Sequence, residues 1–172
     1  MMSRNYPFET GDDALLKQIK KGVTAQGHIE GGKKAMEAGF QVSEYWMPGL
    51  GGKEMTDQHA ENTARVLSEI NPHYIRSRPF RPAHGTPMSG QVQQGQILLL
   101  DPREQLLELR RMVRALDVTS KVCFDHMGNY WRTASGDLVF HHEYEGYQFP
   151  EEKQTVLDRI ELGLVLKSNQ SI

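Results

Sequence analysis

This sequence predicts an α/β chain built on a parallel sheet, as in a barrel or part of one. Two observations lead there, and a third sets the extent. Helix and strand patterns alternate over residues 1–80. Glycine or proline stands at nearly every boundary between them. Only three or four strands can be counted, and 172 residues fall short of the about 250 of a closed eight-stranded barrel.

Residues 3–10 form a short first strand, weakened by Pro7. Asp12 or Asp13 caps a helix that carries Leu15, Leu16 and Ile19 inward and stops at Gly22. Thr24 opens a second helix with Ile29, Ala35 and Met36 on its apolar side, closed by Gly39. The segment 41–47 is rich in residues suited to a strand, and Pro48 ends it. A helix over 56–70, capped by Thr56 or Asp57, sets Ala60, Ala64 and Leu67 on one face. Asn71-Pro72 ends that helix, and 73–78 alternates as a strand stopped by Pro79.

Residues 81–100, rich in proline, glycine and glutamine, read as a long loop. Asp101-Pro102 starts a helix on Leu106, Leu109, Val113 and Leu116, and 118–124 is a further strand candidate. Residues 129–147 are aromatic and irregular. Pro150 opens a last helix with Val156, Leu157, Ile160 and Leu164 inward, and the tail from Lys167 is polar and frayed. The whole reads as one domain: βα units in 1–80, the loop in 81–100, and C-terminal helices with an extension in 101–172.

A net charge of −2 offers no electrostatic case for nucleic acid or an anionic membrane. No apolar run approaches the about 18 residues that would span a bilayer. The mean hydropathy of −0.58 points to a soluble chain, and the N-terminus has no signal-peptide core. The single cysteine, Cys123, excludes a disulfide framework, fits a reducing cytoplasm, and is too few for an iron–sulfur cluster.

The stretch 44–59, EYWMPGLGGKEMTDQH, is the centre of the pattern: strand, glycine-rich turn, helix. Ligands in α/β folds sit beyond the carboxyl ends of strands, so this turn is a site candidate. It matches neither the dinucleotide fingerprint nor a P-loop, and a plain tight turn is the alternative. Arg76 and Arg78 stand at i and i+2 on a strand and point to one side. Guanidinium groups at a strand's carboxyl end suit a carboxylate ligand; ion pairing within the protein is the alternative. Asp125, His126, His141, His142 and Glu143 are adjacent in runs whose side chains diverge, which argues against a metal site. Cys123 reads as a small core residue.

ETGDD at 9–13, LLKQIKKGVTAQGHIEGGKKAMEAGF at 15–40, MPGLGGKE at 47–54, HAENTARVLSEINP at 59–72 and IRSRPF at 75–80 together resemble the radical S-adenosylmethionine superfamily. More narrowly they resemble its iron–sulfur oxidoreductase branch, near the oxygen-independent coproporphyrinogen oxidase-like proteins. DHMGNY at 125–130 and GYQFPEEKQTVLDRIELGL at 146–164 are similar to the C-terminal stretch of that branch.

The resemblance implies a partial (β/α) barrel, a [4Fe–4S] cluster on a CxxxCxxC loop, and S-adenosylmethionine on the cluster's open iron. Here CxxxCxxC and the GGE-like segment are both missing. The chain is expected to be about half of such a barrel, its C-terminal part, inactive alone and holding no cofactor by itself. The resemblance places Glu9 and Thr10 beside the ribose and amino acid of S-adenosylmethionine, with a helix N-cap region as the alternative. It places Gly49, Gly51, Gly52 and Glu54 beneath the adenine. Half a barrel leaves an open sheet edge at residues 3–10, so the missing N-terminal half or a second copy is the expected partner. The competing readings are a non-catalytic module binding a phosphate or nucleotide at the GLGG turn, and a partner-binding domain without a small ligand.

Overall fold

A computed structural model describes residues 3–165. The polar tail from Lys167 lies outside the described residues. Five strands form one sheet in chain order: β1 (Ser3–Glu9), β2 (Gln41–Trp46), β3 (Tyr74–Ser77), β4 (Lys121–Cys123) and β5 (Tyr147–Gln148). The pairs β1–β2, β2–β3 and β3–β4 are parallel. The expected partial parallel barrel is therefore present, with one addition: β5 joins the far edge antiparallel to β4.

The helices are α1 (Asp13–Gln18), α2 (Ala25–Glu37), α3 (Gly52–Ile70), α4 (Pro87–Gln93), α5 (Pro102–Ala115) and α6 (Lys153–Leu164). α2 packs on α3, α3 on α5, and α5 on α6. Side chains alternate along each strand, so one sheet face sees the helices and the other does not. Phe8, Trp46, Ile75, Val122 and Phe124 enter a single core with Ala64, Leu67, Leu109, Val113 and Ile160. The opposite, inner face carries the polar and charged residues that alternate with these.

Local signals placed several boundaries correctly. Asp12 caps α1 by accepting from the Leu15 amide at 2.9 Å, and Thr24 caps α2 through the Gly27 amide at 3.1 Å. At α5 the Asp101 and Glu104 side chains each accept from the other's backbone amide, both at 2.8 Å. Asn71 ends α3 in the left-handed conformation.

Five expectations require correction. α1 ends at Gln18 with Ile19 as its cap, not at Gly22. α3 begins at Gly52, not at Thr56 or Asp57, because the Leu98 carbonyl accepts from the Lys53 amide and caps the helix from outside its own sequence. Residues 81–100 are not all loop: Thr86 caps the short helix α4 by accepting from the Ser89 amide. The strand candidate 118–124 shrinks to β4. α6 begins at Lys153 rather than Pro150, since the Phe149 amide still bonds to the Ser120 carbonyl beside the sheet.

The helix-facing side of β1 and β2 also buries two titratable groups. Glu44 is 2 % exposed, and its Oε2 finds no partner among the described residues. Burial pushes its carboxyl up to about 8, against the pull of Lys21. His28 lies with its ring 4.8 Å from Phe8. Burial, aided by Lys21, lowers its pKa to about 4.

These shifts act in opposite directions. Between its unfolded value of 4.5 and its folded value of about 8, Glu44 is protonated in the fold and ionised in the unfolded chain, so stability falls as pH rises. The depressed His28 contributes stability above 6.5 that is lost as pH falls toward 4. Glu44→Gln should therefore flatten the loss of stability between pH 5.5 and 8.5. At about 1.4 kcal/mol per unit of displacement, the wild-type chain should lose a few kcal/mol over that range. Urea denaturation at three pH values checks this; parallel curves for the two proteins contradict it.

Candidate functional site

The carboxyl ends of β1, β2 and β3 lie side by side. The Met47 amide donates to the Glu9 carbonyl at 3.0 Å, and the Arg78 amide donates to the Trp46 carbonyl at 2.9 Å. On the inner face there, Pro7, Glu9, Tyr45, Met47 and Arg78 line a cavity of about 280 Å³. The β1–β2 register breaks between Tyr6 and Glu9, and Glu9 has a φ of 66°, in the left-handed region that non-glycine residues seldom adopt. Its carboxylate pairs with Lys21 at 2.9 Å. A strained residue held this way at a strand's carboxyl end is a recurrent mark of functional sites.

Of the sequence-predicted residues, Glu9 and Arg78 meet in this cavity. Arg76 shares the inner face with Arg78, as i and i+2 require, but is buried lower on β3. There its Nη1 meets Asp125 at 2.9 Å, an ion pair inside the protein. Thr10 turns to the helix side, where its Oγ1 lies 2.8 Å from His59 Nδ1. Glu54 is exposed on the first turn of α3, where a carboxylate complements the helix dipole.

Gly49, Gly51 and Gly52 form a buried turn at the same end of the sheet, packed against α5 and the segment before it. Gly49 and Gly52 have φ values of 84° and 59°. A Cβ on Gly52 would stand 2.8 Å from the Leu98 carbonyl oxygen, and one on Gly49 would stand 3.2 Å from Gln105 Nε2. Glycine is thus required by backbone angle and by close approach together.

The turn's amides are engaged internally. The Gly49 N–H donates to Glu108 Oε1 at 2.6 Å, the Gly52 N–H to the Gly49 carbonyl and the Lys53 N–H to Leu98. Thr56 donates to the other Glu108 oxygen at 2.6 Å. His59 Nε2 sits 3.0 Å from the Met47 carbonyl. A carbonyl only accepts, so Nε2 carries a proton and donates to it. Burial raises the Glu108 pKa, against the pull of His59, Thr56 and the Gly49 amide.

Sequence reading missed Tyr45 and Met47 as cavity residues, although their spacing from Ser43 puts all three on the face that carries the arginines. It missed Glu108, whose signal was a carboxylate amid the apolar spacing of α5. The later histidines do not converge. His126 Nδ1 accepts from the Gly128 amide, His141 lies against Tyr147 at 4.0 Å, and His142 Nε2 sits 3.0 Å from the Asn129 carbonyl. Burial first, then Arg78 and Arg81, lower the His126 pKa. No group of three or more His, Cys, Asp or Glu among the described residues is placed to hold a metal. Cys123 is buried and its thiol is pushed up to about 12, chiefly by burial. One such thiol does not fit a [4Fe–4S] cluster, which takes three or four thiolates.

No family model matches the chain, and no curated protein matches it. The solved structure of Elp3 from the archaeon Methanocaldococcus infernus, lacking its N-terminal residues 1–46, superimposes with a TM-score of 0.59. Identity is 16 %, over 93 % of this chain and 36 % of the Elp3 chain. Elp3 is a member of the radical S-adenosylmethionine superfamily. At this identity the likeness is one of fold. This chain spans about a third of the length of that radical-SAM protein and matches a partial barrel-like portion of it. Among the described residues, no helix is long and apolar enough to cross a membrane.

The turn should depend on its distant carboxylate. Glu108→Ala leaves the Gly49 amide and the Thr56 hydroxyl without their acceptor and should cost roughly 2–4 kcal/mol. Amide exchange at Gly49 should quicken well beyond that of the α2 amides. A loss below about 0.5 kcal/mol, the range of a neutral surface change, would deny the network its role.

Proposed function

We propose that this chain is the C-terminal part of a radical S-adenosylmethionine iron–sulfur oxidoreductase, supplying part of the S-adenosylmethionine and substrate cleft and inactive alone. The observation that carries the reading is the convergence of Glu9, Tyr45, Met47 and Arg78 at the carboxyl ends of three parallel strands, the position at which barrels and open α/β sheets bind ligands. The residue types suit the cofactor. Arg78 provides a guanidinium for a carboxylate, Glu9 an acceptor for ribose hydroxyls or an amine, and Tyr45 and Met47 an apolar wall.

The cavity falls just below the about 300–1,000 Å³ of complete ligand pockets, as a cleft with only part of its wall would. Reductive cleavage belongs to the cluster-bearing part of such enzymes, and nothing here assigns a step to this chain's residues. The other reading, a phosphate or nucleotide module at the GLGG turn, has less support because the Gly49, Gly52 and Lys53 amides are already engaged.

The free chain should bind S-adenosylmethionine weakly. A few contacts at about 1 kcal/mol each do little more than offset the freedom lost on association. A titration followed by amide shifts should give a millimolar dissociation constant, with changes at Glu9, Tyr45, Met47 and Arg78 that Arg78→Ala removes. Micromolar binding, or shifts confined to the helix face, refutes the half-cleft. Because β1 is a sheet edge in this chain, light scattering should also show self-association at high micromolar concentration; a monomer there counts against an open barrel edge.

A further inference from the structure

Arg76 is a charged group that the cleft does not use. Its side chain is 1 % exposed. The guanidinium carbon lies 3.9 Å from the Tyr144 centroid and 4.9 Å from that of Tyr74, and the two rings stand 6.2 Å apart, tilted at 46° to each other. Nε donates to Ser43 Oγ at 3.2 Å. Nη1 donates to the Tyr144 carbonyl at 3.1 Å and lies 2.9 Å from Asp125 Oδ1. Nη2 is enclosed and has no acceptor among the described residues. A guanidinium is a rigid fork suited to the two oxygens of a carboxylate. Here Nη1 approaches Asp125 Oδ1, which like Nη2 is buried without a hydrogen-bond partner among the described residues, although buried polar groups are paired in the great majority of cases.

Residues 141–146 shut this group off from solvent. They form a strap tied down at both ends. At one end His141 lies on Tyr147 and its amide donates to the Tyr147 hydroxyl at 3.1 Å. At the other, Gly146 has a φ of 63° and packs against Val122 and Cys123 with no room for a Cβ. Between them, contacts to the sheet run through Tyr144 on Arg76 and through Glu145, which pairs with Lys121 and accepts from the Tyr74 hydroxyl. Tyr144 is 62 % exposed on its outer side. Exposed ion pairs such as that of Glu145 hold weakly in water, so the middle of the strap can lift while its ends stay fixed.

We infer that Arg76 is an anchor for a carboxylate-bearing small ligand on the inner face of the sheet, and that the Tyr144 strap covers it until such a ligand takes the free Nη2. This site is separate from the Glu9–Arg78 cavity and does not rest on the reading given for that cavity. The strap is a competitor for the ligand: the Tyr144 carbonyl and ring occupy positions that a bound carboxylate and its carbon skeleton would take.

The test uses the full chain and acetate as the probe, at matched ionic strength, followed by the side-chain Nε–H resonance of Arg76 and by ¹³C-acetate line width. Tyr144→Ala should tighten acetate binding at least tenfold over the wild-type chain. Adding Arg76→Gln to that variant should remove the gain, whereas adding Arg78→Ala should leave it. Glu145→Gln loosens the strap without opening the core, so it should move binding in the same direction by a few-fold, and it decides the matter should Tyr144→Ala lose its circular dichroism. No gain in either strap variant, or a gain that survives Arg76→Gln, overturns the inference. Inorganic phosphate run in parallel should bind less tightly than acetate; the reverse order overturns the assignment of a carboxylate ligand.

Discussion

The carboxylate of Glu108, buried beneath the glycine-rich turn, is the constraint on which the rest of this structure depends. It lies on α5, yet it accepts from the Gly49 amide after β2 and from Thr56 on α3. Beside it, His59 links the Met47 carbonyl at the end of β2 to Thr10 just past β1. Two strand ends and two helices are thereby joined through four polar side chains in a region without solvent. A buried carboxylate is costly unless its oxygens are hydrogen-bonded, and here both are. The same geometry engages the turn's donors, which is why the inner face beside the turn, and not the turn itself, is available to a ligand.

The sheet separates two kinds of chemistry. Its helix side carries the apolar core and the two isolated titratable groups, Glu44 and His28, each held in its neutral form by burial. Its inner side carries Glu9, Arg76, Arg78, Lys121 and Asp125 with Tyr45 and Tyr74. Charges gather there because strand alternation leaves them no other side, and because a partial barrel does not cover that face with helices. The strap over Arg76 covers part of it and leaves the carboxyl ends of β1 to β3 open. The left-handed Glu9 fits this arrangement. A break in the β1–β2 register turns its carboxylate toward Lys21 and the cavity, at a backbone cost that a purely structural strand end would avoid.

The helical elements were legible because their signals are local. Asp12, Thr24 and the Asp101–Glu104 pair each satisfy amides within three residues, and Asn71 with Pro72 stops α3 by a local backbone preference, to which the Asn71 side chain adds bonds to Thr119. The parallel order of β1 to β4 followed from alternation, since a strand, a helix and a strand can pack only as a crossover. The start of α3 was not legible. Its cap is the Leu98 carbonyl, which belongs to a segment that reads as loop. Nor was β5, whose two residues are strand only because β4 lies opposite.

The sequence alone determined an α/β unit of too few strands to close, one cysteine too few for a disulfide or a cluster, a turn that only glycine could make, and two arginines on one strand face. These follow from chain length, composition and backbone angles, which need no knowledge of distant neighbours. Tertiary structure decided which of those residues face a ligand. Glu108, fifty-nine positions away, engages the Gly49 amide. Tyr144, sixty-eight positions away, covers Arg76, while Arg78, two residues on, reaches the Glu9 cavity. Spacing along the chain sets the direction in which a side chain points, but what meets it there depends on packing between segments that the sequence keeps apart.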